Sequence, residues 1–136
     1  MSKGKFLAFG MALVMALVMS MASGSAFAGD PAKGQKAFMS KCNVCHSAAQ
    51  GDKKKKVGPN LYGVVGRKAG ALPGYKKYKG LQGANFAWDE ASLDELLVNP
   101  KKFFKKVSGN NSIMAIISTR NPSQRADLIA HLKTLK

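Results

Sequence analysis

The chain has 136 residues, 46% of them hydrophobic, and a formal net charge of +15 from 22 lysine and arginine side chains against 7 acidic ones. That length accommodates one domain with a limited core, and two cysteines with two histidines fill a four-ligand structural zinc site only if both ends of the chain contribute. So basic a composition ordinarily raises nucleic acid as a partner. The export signal described next argues against that and leaves acidic protein surfaces or an anionic membrane face as the counterpart.

Residues 1–28 read as an export segment. Lys3 and Lys5 give a basic start, an apolar run extends from Phe6 to Met21, and small residues end in Ala26-Phe27-Ala28, an A-x-A cleavage pattern. A retained membrane anchor is the alternative reading, because the apolar run is long for a leader and short for a span. No twin arginine is present, so export as an unfolded chain is expected. Cleavage after Ala28 leaves a single domain, residues 29–136, of 108 residues and net charge +13.

The domain opens with a helix signal: Asp30 as cap, Pro31 at the first helical position, and Gly34, Phe38 and Cys42 recurring on one face. That face leads into Cys42-Asn43-Val44-Cys45-His46. Two thiols two residues apart, followed at once by histidine, form the attachment signature of a c-type haem. Each thiol adds to a porphyrin vinyl group, and the spacing carries a neutral imidazole over the iron. Cys42 and Cys45 are therefore the expected tethers and His46 the proximal ligand. A thioredoxin-like centre needs a βαβ surround that is lacking here, and a disulfide across two residues gives His46 no role.

Lys53 to Lys56 read as a solvated charge run. The stretches Val57–Gly70 and Leu72–Gly83 are rich in turn formers and show no strand pattern. Within the first, the Pro59 carbonyl is placed to accept from the second ring nitrogen of His46, fixing its tautomer. After Trp88, Ser92 and Glu95 predict a capping box, Leu93, Leu96 and Leu97 an apolar face, and Asn99-Pro100 the end of that helix. A short basic segment with Phe103 and Phe104 follows, then an apolar loop carrying Met114. The last helix is capped by Asn121, with Pro122 first, Gln124 completing a variant capping box, and Leu128, Leu132 and Leu135 inward.

In this order and spacing, the Gly-x3-Phe helix, CNVCH, GPNLYG with GRKAG, the tryptophan before a helix, NPKKF, the late methionine and RADLIAHLK resemble a small soluble class I cytochrome c of the bacterial periplasmic kind, similar also to the mitochondrial protein. The resemblance covers Gly29 to Lys136. It implies an all-α fold, three to five helices around one covalently bound haem c, with the first and last helices crossing near Gly34, Phe38 and Leu128. It implies that Pro59 supports His46, that Arg67 and Trp88 hydrogen-bond a haem propionate, and that Met114 is the sixth ligand. Elimination points to the same methionine: five of the seven methionines fall in the export segment, and Met39 lies just before Cys42 on the helix feeding the motif. Two departures stand out: Leu96 where many members place an aromatic, and His131 where the family usually has a tyrosine.

The function so implied is a periplasmic, diffusible one-electron carrier between respiratory or photosynthetic complexes, not an enzyme. A haem protein with an open sixth site, binding gases or catalysing, is the competing reading. The expected partners are acidic docking surfaces on an oxidase, a bc1-type complex or a reaction centre, approached by a monomer that makes at most transient contact with an anionic membrane and none with nucleic acid. Lys41, Lys56, Lys101 and Lys102 match family positions around the exposed haem edge; plain solubility is the alternative role for them.

Overall fold

In the computed structural model, which describes residues 28–54, 56–112, 114 and 119–136, four α-helices and one 3-10 turn are joined by long irregular loops. The predicted export segment lies outside the described residues, apart from Ala28. Helix α1 spans Pro31–Lys41, and the Asp30 side chain accepts from the Ala32 and Lys33 amides, satisfying two donors that the helix start leaves open. Helix α4 spans Pro122–Thr134, with the Asn121 side chain accepting from the Ser123 and Gln124 amides. Gln124 does not complete the predicted capping box; its Oε1 accepts from Lys41 Nζ at 2.9 Å and ties α4 to the end of α1.

These two helices cross at contact distance. Phe38 and Leu128 are each 2% exposed, and burial of side chains this size stabilises by about 1.5–3 kcal/mol apiece. The Asp30 amide also donates to Asp127 Oδ1 at 2.7 Å.

Helix α2 spans Glu90–Val98 and corrects the predicted start. Asp89, not Ser92, is the cap; Ser92 occupies the third helical position, its amide donating to Asp89 Oδ1 at 2.7 Å while its hydroxyl accepts from the Asp89 amide at 2.9 Å. The reciprocal bonds of a capping box are present, shifted by three residues. Asn99 ends α2 and at once caps α3, Pro100–Ser108, through the Lys102 amide. The basic segment is thus a helix. Pro100, Phe103 and Phe104 are buried and Val107 half-buried, one face of a helix, with the lysines on the other.

Between α1 and α2 the chain forms no strand among the described residues, only a single antiparallel bridge between Lys68 and Ala87. The 3-10 turn Lys79–Leu81 packs on α3. Among the described residues no helix is long and apolar enough to cross a membrane.

Candidate functional site

Among the described residues, the helices and loops line a cleft that is partly open to solvent. Its walls are mostly apolar: Leu81 from the 3-10 turn, Leu93, Leu96 and Leu97 from α2, Phe104 from α3, and Leu128 and Leu132 from α4. All seven residues singled out from the sequence line it: Cys42, Cys45, His46, Pro59, Arg67, Trp88 and Met114.

Cys42 and Cys45 sit in the turn that ends α1. Phe38 and Cys42 carbonyls receive the amides of residues 42, 43, 45 and 46, coiling the motif so that its thiols and imidazole share one wall. Both cysteine side chains are half-buried. Burial pushes the Cys42 thiol up against an opposing pull from the Lys41 charge.

His46 is held by the segment that follows it. Its Nδ1 lies 2.8 Å from the Pro59 carbonyl. A carbonyl only accepts, so Nδ1 carries the proton and Nε2 keeps its lone pair. Burial holds the imidazole below its ordinary pKa, the Pro59 bond opposing and the Lys56 charge assisting, so the ring stays neutral with the Nε2 lone pair available. Gly58 packs flat on this ring: a Cβ there would fall 2.3 Å from the His46 Cε1. That fixes both the plane and the tautomer of the imidazole.

Arg67 is half-buried, its Nη atoms donating to the Asn60 and Tyr62 carbonyls at 2.9 and 3.1 Å. None of the ion pairs found among the described residues involves it. Trp88 is buried, stacked 5.7 Å from Phe103 and edge-on to Phe86. Met114 is half-buried in the loop between α3 and α4, its amide accepted by the Ser112 hydroxyl at 3.0 Å. Met39, by contrast, is 57% exposed on α1 and does not line the cleft. His131 lies instead in the α1–α4 interface, its ring 5.5 Å from that of Phe38.

Two further side chains make contacts to which the sequence reading gave no role. Tyr78 lines the cleft beside Arg67, and burial raises its hydroxyl pKa against the pull of that cation. Arg125 is buried on α4, bonding Asp94 Oδ1 at 2.6 Å and the Thr119 and Arg120 carbonyls at 2.9 Å. Its place was legible, because residues 125, 128, 129 and 132 share one helical face. Of the lysines matched to a docking ring, Lys101 and Lys102 are exposed, whereas Lys41 and Lys56 make bonds within the molecule.

These walls suit a flat apolar macrocycle. They offer two sulfurs and an imidazole lone pair, a thioether from a separate loop, an arginine that makes no ion pair among the described residues, and a mostly apolar lining. Haem bound there supplies one-electron Fe(III)/Fe(II) chemistry. An all-helical frame with these donors defines a haem-carrying electron-transfer protein of the c type.

Comparison with known proteins agrees. The family model described as cytochrome c matches residues 31–136. The chain is 43% identical over 106 residues to the cytochrome c of Chlamydomonas reinhardtii, covering 78% of this chain and 89% of that protein. It is 42% identical over 113 residues to cytochrome c2 of Rhodomicrobium vannielii, covering 82% and 85%, and 38% identical over 113 residues to cytochrome c-550 of Novispirillum itersonii, covering 79% and 100%. The chain belongs to the cytochrome c family. Its members carry one covalently bound haem c and transfer electrons; they are not enzymes.

Proposed function

We propose that this protein is a periplasmic, diffusible one-electron carrier, exported by a leader that is removed after Ala28 and working as a monomer between redox complexes. The observation that carries the reading is the shared wall of Cys42, Cys45 and His46 on an apolar cleft, downstream of a segment with export character. In it, Cys42 and Cys45 hold the haem as thioethers, His46 Nε2 and the Met114 sulfur ligate the iron, Pro59 fixes the His46 tautomer, and Arg67 and Trp88 receive a propionate. With both axial positions filled by the protein, the site passes electrons and binds no substrate.

The cytochromes c2 and c-550 among its relatives support a carrier of the bacterial kind. A strongly basic exterior, with Lys101 and Lys102 exposed on α3, suits acidic docking surfaces and speeds encounter more than it tightens binding. The test is expression with its leader in a host that matures c-type cytochromes. The product should keep its haem through a denaturing gel, weigh as residues 29–136 plus one haem, and leave ferrous protein indifferent to carbon monoxide. A haem lost on denaturation, or a carbon monoxide complex formed at once, overturns the reading.

A further inference from the structure

Three of the four consecutive residues Lys56–Pro59 grip the attachment motif directly. Pro59 accepts from His46 Nδ1, and the Gly58 amide donates to the Cys45 carbonyl at 2.8 Å. The third hold is made by Lys56. Its Nζ donates to the Asn43 backbone carbonyl, to Asn43 Oδ1 at 3.0 Å and to the His46 carbonyl at 3.0 Å. An ammonium has three donors and no acceptor, so this one is saturated by three oxygens, all belonging to the motif.

The placement has a local cause. The turn that follows α1 coils on the Phe38 and Cys42 carbonyls. The Asn43 and His46 carbonyls project at the carbonyl end of the coil, where partial negative charge gathers and donors are needed. A cation satisfies both demands, and charge-assisted bonds of this kind are roughly twice as strong as neutral ones. Lys53 and Lys54 of the same run stay exposed, while Lys56 is half-buried. Lys56 of an apparently solvated run therefore does a different job from Lys53 and Lys54.

We propose that Lys56 is a positioning residue for the haem-attachment motif: its ammonium locks the Asn43–His46 turn so that both thiols and the His46 imidazole face the cleft, and its donors are engaged within the molecule instead of with a redox partner. This rests on the reading of His46 as an iron ligand. The consequence is that the lysine ring available to an acidic partner is smaller than the family pattern suggests, with Lys56 serving the ligand and the exposed lysines serving the encounter.

The experiment compares haem-loaded wild type with Lys56→Met, Lys56→Arg and Lys53→Met by NMR. In Lys56→Met, exchange of the His46 Nδ1 proton and the Gly58 amide proton should quicken about tenfold, as expected when charge-assisted bonds to the same turn are lost, and the paramagnetically shifted His46 ring signals of the ferric protein should move. Lys56→Arg should restore part of the protection, and Lys53→Met should match wild type. Unchanged exchange at both protons in Lys56→Met overturns the proposal, as does an equal change in Lys53→Met. Failure of the ligand reading would look different. Wild-type ferric protein would then lack shifted His46 ring signals, while the Gly58 amide still reports whether Lys56 holds the turn.

Discussion

Gly34 of α1 and Asp127 of α4 meet backbone to backbone: a Cβ on Gly34 would stand 1.9 Å from the Asp127 carbonyl oxygen and 2.8 Å from the His131 Cβ. No side-chain rotation relieves such a clash with a carbonyl, so the two helices would have to separate. Alanine in place of glycine within a helix normally gains about 1 kcal/mol. Here the overpacking term, about 3 kcal/mol at the upper end of its usual range, wins. Gly34→Ala should lower the unfolding free energy by about 2 kcal/mol or more; a denaturant titration of the haem-loaded protein checks it, and a stabilised variant would show that the crossing tolerates being opened.

Of the three ion pairs that α2 makes among the described residues, those of Asp94 and Glu95 should differ in value. Arg125 pairs with Asp94 at 2.6 Å with the arginine side chain 11% exposed and the carboxylate 44% exposed. Removing the carboxylate strands a buried cation, though its bonds to the Thr119 and Arg120 carbonyls remain. Half-exposure of Asp94 reduces the full cost of breaking a buried pair, so Asp94→Asn should cost about 1–2 kcal/mol. Lys106 and Glu95 pair at 2.8 Å on the surface, and Glu95→Gln should change stability by less than about 0.5 kcal/mol. Thermal unfolding of both variants side by side decides the ranking; equal losses would mean that Arg125 gains nothing from Asp94.

Local signals made most of this frame readable before any coordinates. Asp30-Pro31 and Asn121-Pro122 start helices where their chemistry places them, and the CNVCH spacing marks one wall of the cleft because it acts within five residues. The errors arose where a contact partner decides. Ser92 and Asp89 are both good caps, and the choice between them fell to Asp89, which holds the Ser92 amide and hydroxyl together. Lys101, Lys102, Lys105 and Lys106 masked the helical spacing of Pro100, Phe103, Phe104 and Val107. Lys56 carries a charge that composition assigns to the surface, and only the carbonyls it meets in space give it another role. The roles of Arg67 and Trp88 came only through family resemblance, that of Met114 through resemblance and elimination, and the leader from its basic start, apolar run and cleavage pattern.

His131 gives stability a pH dependence with a defined sign. It is buried against Phe38 at the α1–α4 crossing, and burial lowers its pKa below the ordinary value of about 6.5. Above that value the ring is neutral in both folded and unfolded chains and the full stability is present. As the pH falls below it, the unfolded chain takes up the proton first and is favoured, until the folded pKa is passed and the loss levels off. Stability should therefore decline on acidification below about pH 6.5, and His131→Phe, which keeps the aromatic contact without the titration, should flatten that part of the curve. Unfolding free energies measured from pH 7.5 downward in both proteins test this; parallel curves would assign the acid sensitivity elsewhere.

Met114 is the last residue whose role a single substitution can settle. It lines the cleft from the α3–α4 loop, well removed in sequence from the wall that holds the thiols and His46. Met39 is exposed on α1, and His131 is enclosed in the helix crossing, so neither lines the cleft. A soft thioether favours ferrous iron, and His/Met ligation is the high-potential arrangement among cytochromes c. Leu96 shares the cleft wall and has no hydroxyl to offer the sulfur. Met114→Ala should abolish the weak sulfur-to-iron charge-transfer band of the ferric protein. It should also lower the midpoint potential by tenths of a volt, within the span of about 0.8 V that axial ligands command, and open the ferrous iron to carbon monoxide. Met39→Ala should leave all three unchanged. If the band survives in Met114→Ala and disappears in Met39→Ala, the ligand comes from α1 and the loop's methionine is only part of the wall.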